Sequence, residues 1–234
     1  MTGMKKNCAA GGYGLVREIL RNLSKDFSVE FRTRFALNVS IAFAVTATVS
    51  VSLTAGGVPF PSLVQSILLW MIIFFSAMNG LSHIFVREED QATALFLRIT
   101  MSADSIFISK FIYNQSFMMI VLAVVTPLFL FFLQVKVILI SYFVLTILSG
   151  GLSIAAGATI LAAMVAKAGG KGSLFSILSF PLLLPVLWVS IFATKNSLDG
   201  ARPADYNSLV FLLAFSGFIS AISFLLFRFV WIED

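Results

Sequence analysis

The stretch that decides the fold is FMMIVLAVVTPLFLFFL, residues 117–133, which contains no charged side chain. A bilayer hydrocarbon core of about 30 Å requires roughly 20 predominantly apolar residues in one helix. Together with the residues that precede it from position 105, this stretch is long enough to cross a membrane. The short turn Gln134-Val-Lys136 then separates it from the next apolar segment. The stretch therefore indicates a transmembrane helix.

The rest of the chain has the same character. Of its 234 residues, 59% are hydrophobic and 12% are charged, whereas a soluble domain is about half apolar and about a quarter charged. A globule of this length could not bury so much apolar surface, and the short alternating segments of a transmembrane β-barrel are not visible. We predict an all-α polytopic membrane domain over residues 35–234, with spans at 35–53, 63–86, 105–133, 137–166, 174–194 and 207–230.

The N-terminal residues differ from these spans. Residues 1–12 are expected to form a flexible cytoplasmic head, and residues 13–34 an amphipathic helix that lies in the membrane interface. Its apolar side carries Leu15, Ile19, Leu23, Phe27 and Phe31, and its polar side carries Arg17, Arg21, Asn22, Lys25 and Ser28. The candidate site residues on this helix are Arg17, Glu18, Arg21 and Lys25. A simple membrane anchor and a docking element remain equal alternatives.

The positive charges predict the orientation. With a cytoplasmic N-terminus, thirteen of the sixteen lysines and arginines lie inside, and only Lys136, Lys195 and Arg202 lie outside. Six spans then return the C-terminus to the cytoplasm, as expected for a bacterial inner-membrane protein. The net charge of +5 is explained by contact with anionic lipid, so we expect the bilayer as a partner and no nucleic acid.

Most catalytic chemistry is excluded because the necessary residues are missing. His83 is the single histidine and Cys8 the single cysteine, which leaves too few residues for bis-histidine haem ligation, a HExxH zinc site, a Ser-His-Asp triad or a CxxC pair. The glycine-rich segment at residues 169–173 lacks the Walker A spacing, and it lies between two spans. We therefore predict no enzyme activity, no nucleotide site, no metal and no covalently bound cofactor.

The most polar point of the chain is the segment between the second and third spans. Its charged elbow consists of Arg87, Glu88, Glu89, Asp90 and Gln91. Such a run is either a solvated surface or a cytoplasmic elbow that a partner protein contacts, since charges favour partner choice. The docking alternative makes these five residues the candidate ATPase-coupling site.

Several polar residues and prolines within the spans are candidates for a transport pathway or for helix packing. Polar groups are costly in lipid and are expected to face protein or a water-filled path. Two prolines in one helix free backbone carbonyls that the protein must satisfy. The candidates are Asn79, His83, Asn114, Gln115, Pro181 and Pro185. In the fourth span, small residues such as Gly151 and Ala155 recur at intervals of four and predict close helix packing.

Three stretches give the chain a resemblance to a known family. They are residues 76–95 around the Arg-Glu-Glu elbow, residues 105–114 with Ser109-Lys110, and residues 172–192 with Phe180-Pro-Leu-Leu-Leu-Pro185. Together with the N-terminal helix and six spans, they resemble the CcmB family, the B subunit of the haem exporter of cytochrome c maturation and a branch of the ABC-2 type permeases. Where that family tends to carry Gly-Thr/Ser-Leu-Glu and then proline, this chain has Thr93-Ala-Leu-Phe96 and Met101-Ser102.

The resemblance implies a permease subunit driven by a separate ABC ATPase of the CcmA type. It also implies further haem-handling membrane subunits of the CcmC and CcmD types, a homodimer of permease subunits and haem as a candidate cargo. In this interpretation the elbow and the N-terminal helix pass the movement of the ATPase to the spans. The alternatives are an ABC-2 permease for a lipid, glycan or drug, and a structural membrane subunit that transports nothing.

Overall fold

The structure is a computed structural model that describes residues 13–81, 100–167, 172–200 and 206–232. These ranges contain seven helices and no strand. In chain order they are α1 Tyr13–Thr33, α2 Phe35–Ala55, α3 Ser62–Leu81, α4 Ala103–Phe132, α5 Ile140–Lys167, α6 Gly172–Asp199 and α7 Asn207–Ile232. The predicted all-α class is therefore confirmed. The expected head, residues 1–12, lies outside the described residues.

Helices α2 to α7 are each long and apolar enough to cross a membrane, which confirms six spans. Their limits differ from the predicted ones by a few residues. Helix α6 extends to Asp199, beyond the predicted span limit at residue 194, and Lys195 forms an ion pair with Asp199 in this last turn. Its Ser197 carbonyl also accepts a hydrogen bond from the Leu139 amide. Helix α3 is described as far as Leu81, and the rest of the span predicted to reach residue 86 lies outside the described residues.

The connections between helices follow from local sequence. Helix α2 ends at Gly56 and Gly57, whose φ angles of 57° and 83° suit glycine, and Pro59 prevents the helix from continuing. Helix α4 begins at Ser102, whose hydroxyl accepts a hydrogen bond from the Ser105 amide at 3.3 Å. A serine cap of this kind satisfies an amide that would otherwise lack a partner.

Helix α5 forms the centre of the bundle. It packs against α3, α4, α6 and α7, and 72% of its span is buried, compared with 22% for α2 and 17% for α7. Small residues allow this approach: a Cβ atom on Gly151 would collide with Leu122 of α4, and one on Gly157 would lie 2.7 Å from Leu183 of α6. The predicted close packing of this span is thus present.

The bundle has two ends with different contents. Helix α1 packs mainly against α4. It lies at the end of the bundle where α2 and α4 begin, and we call this end of the bundle the α1 end. At the opposite end, α2, α4 and α6 finish and α3, α5 and α7 begin; we call this the distal end. Exposed apolar side chains cover the outside of the six spans between the two ends, as expected for a surface that contacts lipid.

Candidate functional site

A row of polar residues on α1 faces the bundle. Glu18, Asn22, Asp26 and Glu30 follow one another at intervals of four, so they share one side of the helix. The last three are almost fully buried, at 2%, 0% and 3% exposed. Their contacts on α4 and α2 define what we call the α1 seam. Buried polar side chains in a membrane protein require partners, and each of these three forms a hydrogen bond within the seam.

An ion pair lies at the middle of the seam. The Lys110 ammonium of α4 donates to Oδ2 of Asp26 at 3.3 Å, and neither side chain is exposed. Lys25 lies 3.5 Å from the other carboxylate oxygen and is partly exposed. Removing one partner of a buried pair leaves an uncompensated charge and typically costs about 3–5 kcal/mol. The pair therefore joins α1 to the third span, and either charge alone would be costly there.

Neutral hydrogen bonds extend the seam towards the start of α1. The Asn22 amide donates to Oγ of Ser109 at 2.6 Å, and Ser109 in turn donates to the Ile106 carbonyl. One turn earlier, the Glu18 carboxylate accepts from Ser105 at 2.9 Å and more weakly from Ser102 at 3.5 Å. The N-terminal part of α4 therefore contacts α1 over more than two turns.

At the other end of the seam, Glu30 holds the start of α2. Its Oε1 accepts a hydrogen bond from the Leu37 amide at 3.1 Å, one of the amides that the first turn of a helix leaves without a partner. A negative charge there also favours the helix dipole. The single residue between α1 and α2 is Arg34, with a left-handed φ of 51°. Glu30 therefore fixes the angle between the surface helix and the first span.

The remaining sides of α1 point away from the bundle. Arg17, Arg21 and Lys25 are exposed on one side, and Val16, Leu20 and Phe31 are exposed on the next. This agrees with an apolar face towards lipid and a basic face beside it. Asn22, on the polar side of the predicted helix, is 2% exposed and hydrogen-bonded to α4. The predicted site residue Glu18 belongs to the seam as well.

The polar candidates on α4 connect it to the central helix. The Asn114 amide donates to Oγ1 of Thr159 at 3.1 Å, and the Gln115 amide donates to the Leu152 carbonyl at 3.2 Å. Asn114 is fully buried, and its Oδ1 has no hydrogen-bond partner among the described residues. Both side chains thus join α4 to α5, and a role in a transport pathway remains a prediction.

The other candidates are not brought into the seam. Asn79 is exposed and donates to the Phe75 carbonyl of its own helix, while Pro181 and Pro185 lie within α6 with exposed side chains. His83 and the charged elbow at residues 87–91 lie outside the described residues. Their roles as pathway and ATPase-coupling residues therefore stay predictions.

Sequence reasoning missed the seam, although a signal was present. Glu18, Asn22, Asp26 and Glu30 are spaced by four, and Lys110 stands just before a long apolar run. A row of acids on a helix beside a lysine at the start of a span is the pattern that could have revealed it. Within the described ranges, no group of three or more histidine, cysteine or acidic residues could hold a metal ion.

Six apolar helices with a surface helix fastened to the first and third spans define a class: a multi-pass helical membrane subunit. The comparison with protein families makes this specific. The family model described as CcmB protein matches residues 17–230, nearly the whole chain, and the chain belongs to the CcmB family. The resemblance seen in the sequence is confirmed. Members of this family are permease-type membrane subunits associated with haem export and cytochrome c-type biogenesis. No individual curated protein matches the chain significantly.

Proposed function

We propose that this chain is the membrane-spanning permease of an ABC transporter that exports haem for cytochrome c-type biogenesis, with ATP hydrolysis on a separate subunit. The family match over residues 17–230 is the observation that carries the proposal. The expected partners are a CcmA-like ATPase, CcmC-like and CcmD-like membrane subunits, and a second copy of the permease. The expected location is the bacterial inner membrane with both termini cytoplasmic.

The seam supports a route for energy coupling. Because Lys110 ties α1 to α4 and Glu30 ties it to α2, a displacement of α1 moves the first halves of two spans together. An ATPase that contacts α1, or the charged elbow between α3 and α4, could therefore act on several helices at once. The exposed basic residues Arg17 and Arg21 offer α1 a surface for that contact.

The test uses the permease co-expressed with its ATPase and reconstituted in liposomes. The charge reversal Glu88→Lys with Glu89→Lys should abolish stimulation of the ATPase, whereas membrane insertion stays normal. Asp199→Lys, at the distal end, serves as the control and should retain stimulation. Unchanged stimulation in the elbow variant would contradict the docking role.

The cargo is tested separately. Deletion of the gene should abolish maturation of c-type cytochromes, and haem should raise the ATPase rate of the reconstituted complex. An ATPase rate that responds to a lipid, glycan or drug instead, with normal cytochrome maturation, would identify an ABC-2 permease for another cargo. Failure of any ATPase to co-purify with the chain would favour a structural subunit.

A further inference from the structure

A cavity of about 560 Å³ opens at the distal end. Its walls come from the end of α2, the loop after it, the start of α3, the end of α4 and the loop that follows, and the end of α6. This volume lies within the range of small-molecule sites, which are mostly apolar with a few polar groups that fix orientation. The cavity has this composition, with Phe60, Leu133 and Ile138 among its apolar residues and Gln65 and Lys136 among its polar ones.

Gln65 gives the cavity an unused polar group. Its side chain is 8% exposed and lines the cavity, yet within the described residues its amide forms no side-chain hydrogen bond. Because the side chain lines the cavity, its amide is available to a ligand atom. An amide offers both a donor and an acceptor, and it therefore matches a phosphate or a hydroxyl.

Lys136 is the charged residue of the cavity, and the turn before it fixes the position of its backbone. The turn before it is a Schellman motif: Gln134 has a φ of 50°, its amide donates to the Phe131 carbonyl, and the Val135 amide donates to the Leu130 carbonyl. Lys136 follows directly and is the one charged residue among the described residues that line the cavity. A cation at this position selects an anionic group.

Exposed apolar side chains lie close to the cavity along the chain. Leu53 and Phe131 are each 78% exposed and Val58 is 71% exposed; Val58 lines the cavity, and the other two are chain neighbours of the lining residues Ser52 and Phe132. A ligand with a long apolar chain could place its acidic group beside Lys136 and its chain along this surface. A small soluble anion has no apolar chain and would not contact this surface.

We propose that the distal cavity binds one anionic membrane phospholipid, with the headgroup phosphate on Lys136, a headgroup oxygen on Gln65 and an acyl chain along Leu53 and Phe131. The proposal requires the membrane-embedded chain alone and does not rest on the ATPase or on haem. Lys195 at the same end is already paired with Asp199 at 2.8 Å and does not line the cavity, which makes it a matched control.

The experiment is native mass spectrometry of the purified full-length chain in mild detergent. Dioleoyl phosphatidylglycerol is compared with dioleoyl phosphatidylcholine, which has the same chains, and with glycerol 3-phosphate, which has none. The wild-type chain should retain one phosphatidylglycerol in preference to phosphatidylcholine. Lys136→Met should lower this preference about tenfold, as expected for a lost charge-assisted hydrogen bond, and Gln65→Leu should lower it by a smaller factor.

Lys195→Met should leave the preference unchanged. Equal losses in Lys136→Met and Lys195→Met would overturn the proposal in favour of a diffuse surface charge, and equal retention of the two lipids would show that no acid is recognised. Displacement of the lipid by glycerol 3-phosphate would identify a site for soluble anions instead. Circular dichroism and size-exclusion profiles like those of the wild type confirm that each variant is folded, so that a lost preference is attributed to the cavity.

Discussion

The two ends of the bundle use the same types of side chain in opposite ways. At the α1 end, Asp26 and Lys110 are fully buried and paired across two helices. At the distal end, Lys195 and Asp199 form a pair within one helix, with about a third of each side chain exposed, and Lys136 borders an open cavity. Buried pairs hold helices in place, because neither charge can be solvated if the contact breaks. Exposed pairs contribute little to stability. The distal end therefore does not depend on its charged side chains for stability and can use one of them for binding.

The largest effect is expected when one charge of the buried pair is removed. Asp26→Asn or Lys110→Met should each lower the free energy of unfolding by about 3–5 kcal/mol, since the remaining charge stays buried. Denaturant titration in detergent micelles provides the measurement. The double variant should recover much of the loss, because neither of the two buried charges remains. A double variant whose loss equals the sum of the two single losses would show that the two residues act independently.

A smaller effect is expected where Glu30 meets α2. Glu30→Ala removes the acceptor for the Leu37 amide and should cost about 1–2 kcal/mol, as for the loss of a helix cap. Glu30→Gln retains an oxygen that can accept this hydrogen bond and loses only the charge, so its cost should be about 0.3–1 kcal/mol. The same titration compares the two variants, and equal losses would mean that the hydrogen bond itself contributes nothing.

The smallest effect is expected at the distal pair. Lys195→Met breaks a partly exposed contact within α6 and should change the free energy of unfolding by about 0.5 kcal/mol or less. Lys136→Met should be equally mild, since the side chain is exposed. If Lys195→Met destabilised the protein as much as Lys110→Met does, the contrast between the two ends would be refuted.

The parts of the fold that sequence could predict depend on residues close together in the chain. Apolar length alone indicates six spans, and turn residues such as Gly56 and Pro59 mark where they end. The i, i+4 pair of Lys195 and Asp199 lies in the last turn of α6, beyond the apolar stretch from which the span limit at residue 194 was predicted. Small residues at intervals of four in α5 also predicted its close packing, because the feature lies within one helix.

The parts that sequence did not reveal depend on residues far apart in the chain. The apolar stripe and the basic residues of α1 were visible, but the buried role of Asn22 requires Ser109, which is 87 positions away. The distal cavity is formed by the ends of four helices and two loops, and no single segment carries its pattern. Periodicity in the sequence shows which face of a single helix is apolar or polar. It does not show which other helix that face contacts, because this is determined only when the bundle assembles.

The separation between Asp26 and Lys110 has a consequence for how the protein is made. The two residues lie 84 positions apart, and a ribosome adds about 5–20 residues per second. The N-terminal helix therefore emerges on the order of ten seconds before its cationic partner, and three spans must be inserted before the pair can close. During that interval Asn22 and Asp26 lack their partners on α4, whereas Glu30 can already bond the start of α2. Docking of α1 is thus a late step of assembly, and it is complete only after the third span has entered the membrane.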